Sequence, residues 1–343
     1  MLGDFMAYKI SIDLGTSNIV MCDNKNGIIL DEPSVIAFHT TNNQEKLLAV
    51  GDDAKLMLGK TPDSIRAVQP LSDGVIADFD AAQQMIAAFL AKVMKFAKWR
   101  RPIVYVCVPY GATAVEKRAI KATIEAAGGR NVGLVEEPMA AALGAGLKVL
   151  SPRGSMVIDI GGGTSELAVL SLGGIVVASS ERVGGRHFDE AIGSYIKKKY
   201  NLHVGIAACE DIKCSIGTVV APEDGQGEQV TIRGRHAVTG LPEQIKVNQG
   251  DIALALAPLV IQLSEALLKL LEQTPPDLSG DIQEDGIMLT GGGADLFGLD
   301  QLLRTITGMH AVRADNNKHS VVLGTQMAMN LGRQFEHAIE RNP

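Results

Sequence analysis

The same local pattern occurs twice in this chain, and it limits the available folds more than any other feature. Near the start stands Ile10-Ser-Ile-Asp13-Leu-Gly15-Thr16-Ser17-Asn18-Ile-Val, and in the middle Met156-Val-Ile-Asp159-Ile-Gly161-Gly162-Gly163-Thr164-Ser165-Glu166-Leu-Ala-Val-Leu. Each copy is an apolar strand ending on an aspartate, a Gly/Thr/Ser bend, then a second apolar strand, which spells a β-hairpin. A third glycine turn, Thr290-Gly291-Gly292-Gly293-Ala294, follows another apolar strand. A tight glycine turn aims successive backbone N–H groups at one point and makes an anion-binding concavity. Thr16, Ser17 and Thr164 add hydroxyl donors beside it. A single hairpin of this kind is commonly only structural. Two of matching layout, facing each other, grip a polyphosphate from both sides, and Asp13 and Asp159 then suit a Mg²⁺ held through its water shell.

The other common phosphate cradles are missing. No G-x-x-x-x-G-K-[ST] loop occurs, and no G-x-G-x-x-G follows the first strand. Between the hairpins, strands and helices alternate. Residues 103–109 read as a buried strand and 112–127 as a helix ended by Gly128-Gly129. Residues 132–135 read as a short strand and 138–146 as a second helix. This alternation predicts mixed α/β domains. Residues 32–50 and 218–247 carry short β patterns and turns instead, and read as smaller inserted subdomains.

A length of 343 residues suits two domains or one large split one. The net charge of −7 argues against a general nucleic-acid binder, because no basic surplus exists to neutralise phosphates. The four cysteines show no C-x-x-C pair and read as reduced thiols of a cytosolic protein. The start of the chain lacks the basic region of a secretory signal. The most apolar stretch, residues 252–271, is interrupted by Pro258 and contains Gln262, Glu265 and Lys269, so it reads as an amphipathic core helix rather than a membrane span.

The ordered set of motifs resembles the actin, heat-shock chaperone and sugar kinase superfamily, and within it the MreB family of bacterial actin-like proteins. The likeness is carried by Ile12-Asp-Leu-Gly-Thr16, Glu32-Pro-Ser-Val35, Asp73-Gly-Val-Ile-Ala-Asp-Phe79, Val106-Cys-Val-Pro109 and Glu137-Pro-Met-Ala-Ala-Ala142. Gly154-Ser-Met-Val-Ile-Asp-Ile-Gly-Gly-Gly-Thr164, Thr274-Pro-Pro-Asp277 and Leu289-Thr-Gly-Gly-Gly-Ala294 complete it. The resemblance implies an actin-like α/β fold of two related domains around an ATP cleft. Domain I would comprise 1–141 plus about 312–343, with a subdomain at about 31–74. Domain II would comprise 142–311, with a subdomain at about 181–250.

By the same resemblance, Gly15, Thr16, Ser17 and Asn18 form one phosphate loop, and Gly161, Gly162 and Gly163 the other. Gly291, Gly292, Gly293 and Ala294 resemble the adenosine motif, with Glu210 and Lys213 flanking base and ribose. Glu137 matches the family's water-orienting carboxylate and Thr164 its partner; read without the resemblance, Glu137 is a helix N-terminal carboxylate favoured by the dipole. The implied protein is a slow Mg²⁺-dependent ATPase that polymerises with itself, head to tail. It would lie in the cytoplasm at the inner membrane face and work with the cell-wall elongation machinery.

Trp99, in Lys95-Phe96-Ala-Lys98-Trp99-Arg100-Arg101, interleaves aromatic and basic residues as an anionic membrane interface favours. The alternative is that Phe96 and Trp99 pack on their own helix's core face. Met1-Leu2 and Phe5-Met6 offer a second anchor. Two departures stand out: Arg186-His187 replaces a usually acidic position after Val183-Gly184-Gly185, and Asp295 replaces a usually apolar one. A filament for DNA segregation or organelle positioning, and a soluble phosphotransferase, are the alternative functions.

Overall fold

The computed structural model describes residues 8–41, 44–94 and 101–331, together with the backbone of 339–340. The chain opens with an antiparallel ribbon of β1 (Lys9–Leu14), β2 (Asn18–Asp23) and β3 (Gly27–Pro33). A small sheet follows, in the order β5-β4-β6, from β4 (Ile36–Thr41), β5 (Gln44–Val50) and β6 (Ile65–Val68), with α1 (Asp52–Lys55) before its last strand. β7 (Leu71–Ser72) and β8 (Val75–Ile76) close a tight hairpin on Asp73-Gly74. Next come α2 (Phe79–Val93), β9 (Ile103–Val108), α3 (Ala114–Ala126), β10 (Arg130–Glu136) and α4 (Glu137–Gly144). The helix starts are written locally. Asp78 accepts a hydrogen bond from the Ala81 N–H, and Thr113 and Glu116 form a reciprocal capping box.

The second half repeats the plan. β11 (Ser155–Ile160), β12 (Ser165–Ser171) and β13 (Gly174–Glu181) form another antiparallel ribbon, followed by α5 (Gly185–Tyr200). A second small sheet joins β14 (Leu202–His203), β15 (Gln229–His236) and β16 (Pro242–Asn248), with α6 (Ile206–Ile216) inserted. Then follow α7 (Gln249–Gln273), α8 (Pro276–Asp285), β17 (Ile287–Thr290), α9 (Leu299–Thr307), β18 (Ala311–Arg313), α10 (Ser320–Leu331) and β19 (Ile339–Glu340).

The two large sheets run β19-β10-β9-β1-β2-β3 and β18-β17-β11-β12-β13. Leaving out the short β19, they share one topology: an antiparallel ribbon whose first strand continues into two parallel neighbours. β9 is buried at all six positions, as a parallel strand covered on both faces must be. Each sheet has its own core, one around Ile12, Phe89 and Val106, the other around Ile158, Phe188 and Leu256. A third cluster around Met139, Val157 and Met329 lies between them.

α7 departs from the sequence reading in one respect. It runs unbroken through Pro258. Pro258 and Leu254, whose carbonyl loses its partner to the missing N–H, both lie on the exposed face, where the helix can bow and water can take the free bond. Among the described residues, α7 is the one helix long and apolar enough in composition to cross a membrane, yet Leu256, Leu263, Leu267 and Leu270 all pack into the second core.

The halves are joined where α4 crosses α10 through glycines. A Cβ on Gly324 would lie 1.7 Å from the Ala140 carbonyl oxygen, and one on Gly144 would lie 1.8 Å from that of Ser320. Backbone meets backbone there, so no side chain can move aside. Gly324→Ala is expected to destabilise the fold by about 2–3 kcal/mol in urea unfolding, because overpacking outweighs the gain in helix propensity. Gly280→Ala, on an exposed position of α8 with open space around it, should instead stabilise by about 0.5–1 kcal/mol.

Candidate functional site

The site is assembled from the two repeated turns. Aspartates fall at or near the ends of the first strand of each ribbon because the apolar run stops there, and the chain must then bend within three or four residues. In the second copy, the Gly161 N–H donates to the Thr164 carbonyl at 2.9 Å and closes the bend. The two turns lie against each other. A Cβ on Gly162 would stand 2.1 Å from Ser17 Oγ and 2.9 Å from the Ser17 backbone nitrogen. Only a residue without a side chain permits that approach. Around the meeting point opens a cavity of about 830 Å³, a size that suits a nucleotide-scale ligand.

Carboxyl groups collect at its floor. Asp13, Asp159 and Glu137 all line the cavity. Cys107 Sγ lies 3.3 Å from Asp13 Oδ1, and Thr290 Oγ1 donates to Asp159 Oδ1 at 2.6 Å. Burial pushes Asp13 up to about 7 despite the Cys107 contact, with the Asp159 charge adding to the rise. Burial also pushes Asp159 up to about 6, with Thr290 opposing it. Glu137, at the first residue of α4, is raised well above the usual carboxylate range, first by desolvation and then by the charges of Glu166, Asp159 and Asp13. Glu166 is fully buried, faces Asp159 across β11–β12, accepts from Ser180 Oγ at 2.7 Å, and is pushed up to about 8 mainly by burial.

Mutually repelling carboxyls in a desolvated pocket are the electrostatics a divalent cation would relieve, so Asp13 and Asp159 fit Mg²⁺. No group of three His, Cys, Asp or Glu converges as direct metal ligands among the described residues.

Of the residues singled out in the sequence, Gly15, Thr16, Ser17, Asn18, Gly161, Gly162, Gly163, Thr164, Glu210, Lys213, Gly291, Gly292 and Gly293 also line this one cavity. Ala294 does not. It sits in a single 3₁₀ turn, Gly292–Asp295, that points its methyl into the second core. Glu210 is engaged across the cleft by Lys55 Nζ at 2.9 Å, and Lys213 Nζ reaches Asp189 Oδ1 at 2.8 Å and the Gly185 carbonyl at 2.9 Å. The residues Phe96 and Trp99, and the N-terminal pair Met1-Leu2 and Phe5-Met6, lie outside the described residues.

Sequence reasoning missed three participants. Cys107 reaches Asp13 only because β1 and β9 pair in parallel. Glu166 sits inside the motif, but only burial gives it a role. Asn317 donates from Nδ2 to the Gly291 carbonyl at 2.8 Å and to Asp295 Oδ1 at 3.0 Å, while Asp295 also pairs with Arg313 and Lys318. That network gives the unusual Asp295 a purpose: it pins the glycine turn at one end of the cavity.

Gly162→Ala forces the turns apart and should weaken binding of a fluorescent ATP analogue by roughly 5- to 150-fold, equivalent to about 1–3 kcal/mol. Gly205→Ala, with nothing within 4 Å, should leave binding unchanged in the same titration.

Known proteins of this architecture place the chain. The family model described as MreB/Mbl protein matches residues 7–337. The cell shape-determining protein Mbl of Bacillus subtilis is 44% identical over 319 residues, covering 93% of this chain and 95% of that protein. The cell shape-determining protein MreB of Escherichia coli K12 is 45% identical over 325 residues, covering 94% and 93%. The crystal structure of MreB5 of Spiroplasma citri bound to ADP superposes with a TM-score of 0.89 at 37% identity, covering 95% of this chain and 97% of that one. The MamK double helical filament gives 0.78 at 19% identity over 94% and 98%, a likeness of fold alone. Over nearly its whole length, then, the chain has the actin-like fold and belongs to the MreB/Mbl family.

Proposed function

We propose that this chain is an ATP-binding actin homologue that polymerises head to tail on the inner face of the cell membrane. There it organises cell shape and peptidoglycan synthesis, with slow Mg²⁺-dependent ATP hydrolysis governing the polymer. The observation that carries this reading is the apposition of two glycine turns from two separate sheets above a cluster of buried carboxyls. MreB5 of Spiroplasma citri has been seen with ADP and with AMPPNP, which supports a nucleotide in the equivalent cleft here. The division into 1–141 with about 312–343, against 142–311, belongs to the same proposal and is supported by the two sheets and by the return of α10 to β1 and β9.

The chemistry assigns each group a task. The N–H groups of the turns at 15–18 and 161–164 hold phosphate oxygens, with the hydroxyls of Thr16 and Ser17 beside them. Asp13 and Asp159 would hold Mg²⁺, which when bound would supply neutralisation of phosphate charge. Glu137 orients a water in line with the terminal phosphate, with Thr164 fixing its other side. Positioning of this kind supplies most of the acceleration in phosphoryl transfer. The raised proton affinity of Glu137, caused by burial and neighbouring carboxyls, suits a group that takes up a proton from that water.

Open filaments follow from heterologous contacts that do not close on themselves. The segment holding Phe96 and Trp99 supplies the membrane contact in this reading.

Sedimentation with ATP and Mg²⁺, with and without anionic liposomes, tests the proposal. Wild type should pellet as filaments and also bind liposomes. Phe96→Ala/Trp99→Ala should pellet but lose the liposomes. Glu137→Ala should bind ATP yet release phosphate at least roughly 100-fold more slowly. Wild type that stays in the supernatant under every condition would rule out the polymer.

A further inference from the structure

Among the described residues, ion pairs cross the cleft at its mouth and deeper inside, where His187 Nε2 also lies 3.8 Å from Asp73 Oδ1. At its mouth, Lys55 of α1 meets Glu210 of α6 at 2.9 Å, with both side chains over a third exposed. Deeper, Arg186 Nη2 donates to Asp73 Oδ1 at 2.7 Å, with both side chains about a quarter exposed. The positions of Asp73 and Arg186 give the second pair its interest.

Asp73 occupies the left-handed region, φ 50°, in the two-residue turn between β7 and β8. Its neighbour Gly74 donates its N–H to Thr16 Oγ1 at 3.3 Å, so this turn rests on the first phosphate loop. A Cβ on Gly163 would stand 2.8 Å from the Asp73 Cα, so the same turn also rests on the second loop. Arg186, in the first turn of α5, donates its backbone N–H to the Gly162 carbonyl at 2.8 Å, and Gly185 does the same to Gly161 at 2.9 Å. Each partner is therefore bonded to a phosphate loop through its own backbone or its neighbour's. Through Asp189 and Lys213, α5 is tied to α6, which carries Glu210, so the two pairs act on connected elements.

We propose that Arg186 is a positioning residue for this cleft: its ion pair with Asp73 latches the turn on the first phosphate loop to the helix that follows the second, and slows the release of bound nucleotide. The inference rests on the reading of the cleft as a nucleotide site. Opening the cleft must break a charge-assisted hydrogen bond, and in this proposal nucleotide enters while the cleft is open, before that bond forms. The latch therefore acts on dissociation and leaves association nearly unchanged.

The test is displacement of a fluorescent ADP, preloaded with Mg²⁺, by excess unlabelled ADP in stopped flow. The variants are Arg186→Gln, Arg186→Lys and Asp73→Asn, the last chosen because asparagine tolerates the left-handed turn. Arg186→Gln and Asp73→Asn should each release nucleotide roughly tenfold faster, with association rates within about twofold of wild type. Their combination should release nucleotide far more slowly than the product of the two single effects predicts, because both remove the Arg186–Asp73 bond. Arg186→Lys should recover part of the slow release. Raising salt from about 50 to 500 mM should speed release from wild type clearly more than from Arg186→Gln, which keeps the Lys55–Glu210 pair across the cleft. Thermal melts identify any variant that fails to fold, and the remaining single variant, compared with wild type, then decides. Wild type that binds ADP but releases it at a salt-independent rate, or single variants with the wild-type rate, would overturn the latch and leave the functional reading standing. Wild type that binds no nucleotide would overturn both.

Discussion

Gly162 lies on Ser17 with no room for a single carbon between them. That contact joins turns from two different sheets, and much of the molecule serves to bring it about. Each turn is held at the end of a buried ribbon, so neither can drift from its own sheet. The α4–α10 crossing, built on Gly144 and Gly324, then fixes one sheet relative to the other. The site is therefore a property of the assembled pair of halves and belongs to neither alone.

The same arrangement explains the electrostatics. Carboxyls that end strands in separate sheets become neighbours only when the halves close, and burial then raises Asp13, Asp159, Glu137 and Glu166 together. A pocket that held these groups for stability alone would be poorly built, since buried like charges oppose folding. In the proposed function, perturbed acids gathered under the glycine turns serve a cation and a phosphate chain.

The parts of this organisation that are local were legible in the sequence. The doubled Asp–Gly hairpin announced itself because strand, aspartate and bend occupy consecutive residues, and the structure extends the repeat to whole sheets of matching order. The strand read at 103–109 and the helices read at 112–127 and 138–146 correspond to 103–108, 114–126 and 137–144, because an apolar run and the Gly128-Gly129 stop are local signals. The parts that depend on distant pairing were not legible. Lys55 meets Glu210, and Asp73 meets Arg186, across more than a hundred positions of chain. The resemblance assigns Ala294 to the adenosine motif, but the 3₁₀ turn carries its methyl into the core. Pro258 looked like a break because sequence does not reveal which face of a helix meets water. Arg186 and Asp295 stood out as unusual residues, and only their partners in space gave them meaning.

The central claim is that one Mg²⁺–nucleotide site is built jointly by both halves. Calorimetric titration of ATP into wild type, Asp13→Asn and Asp159→Asn, each with Mg²⁺ and with EDTA, addresses it directly, because one aspartate comes from each sheet. The account predicts that Mg²⁺ tightens ATP binding to wild type and that this gain disappears in both variants. If either variant keeps the full wild-type gain from Mg²⁺, its half contributes nothing to the ion, and a jointly built site is contradicted.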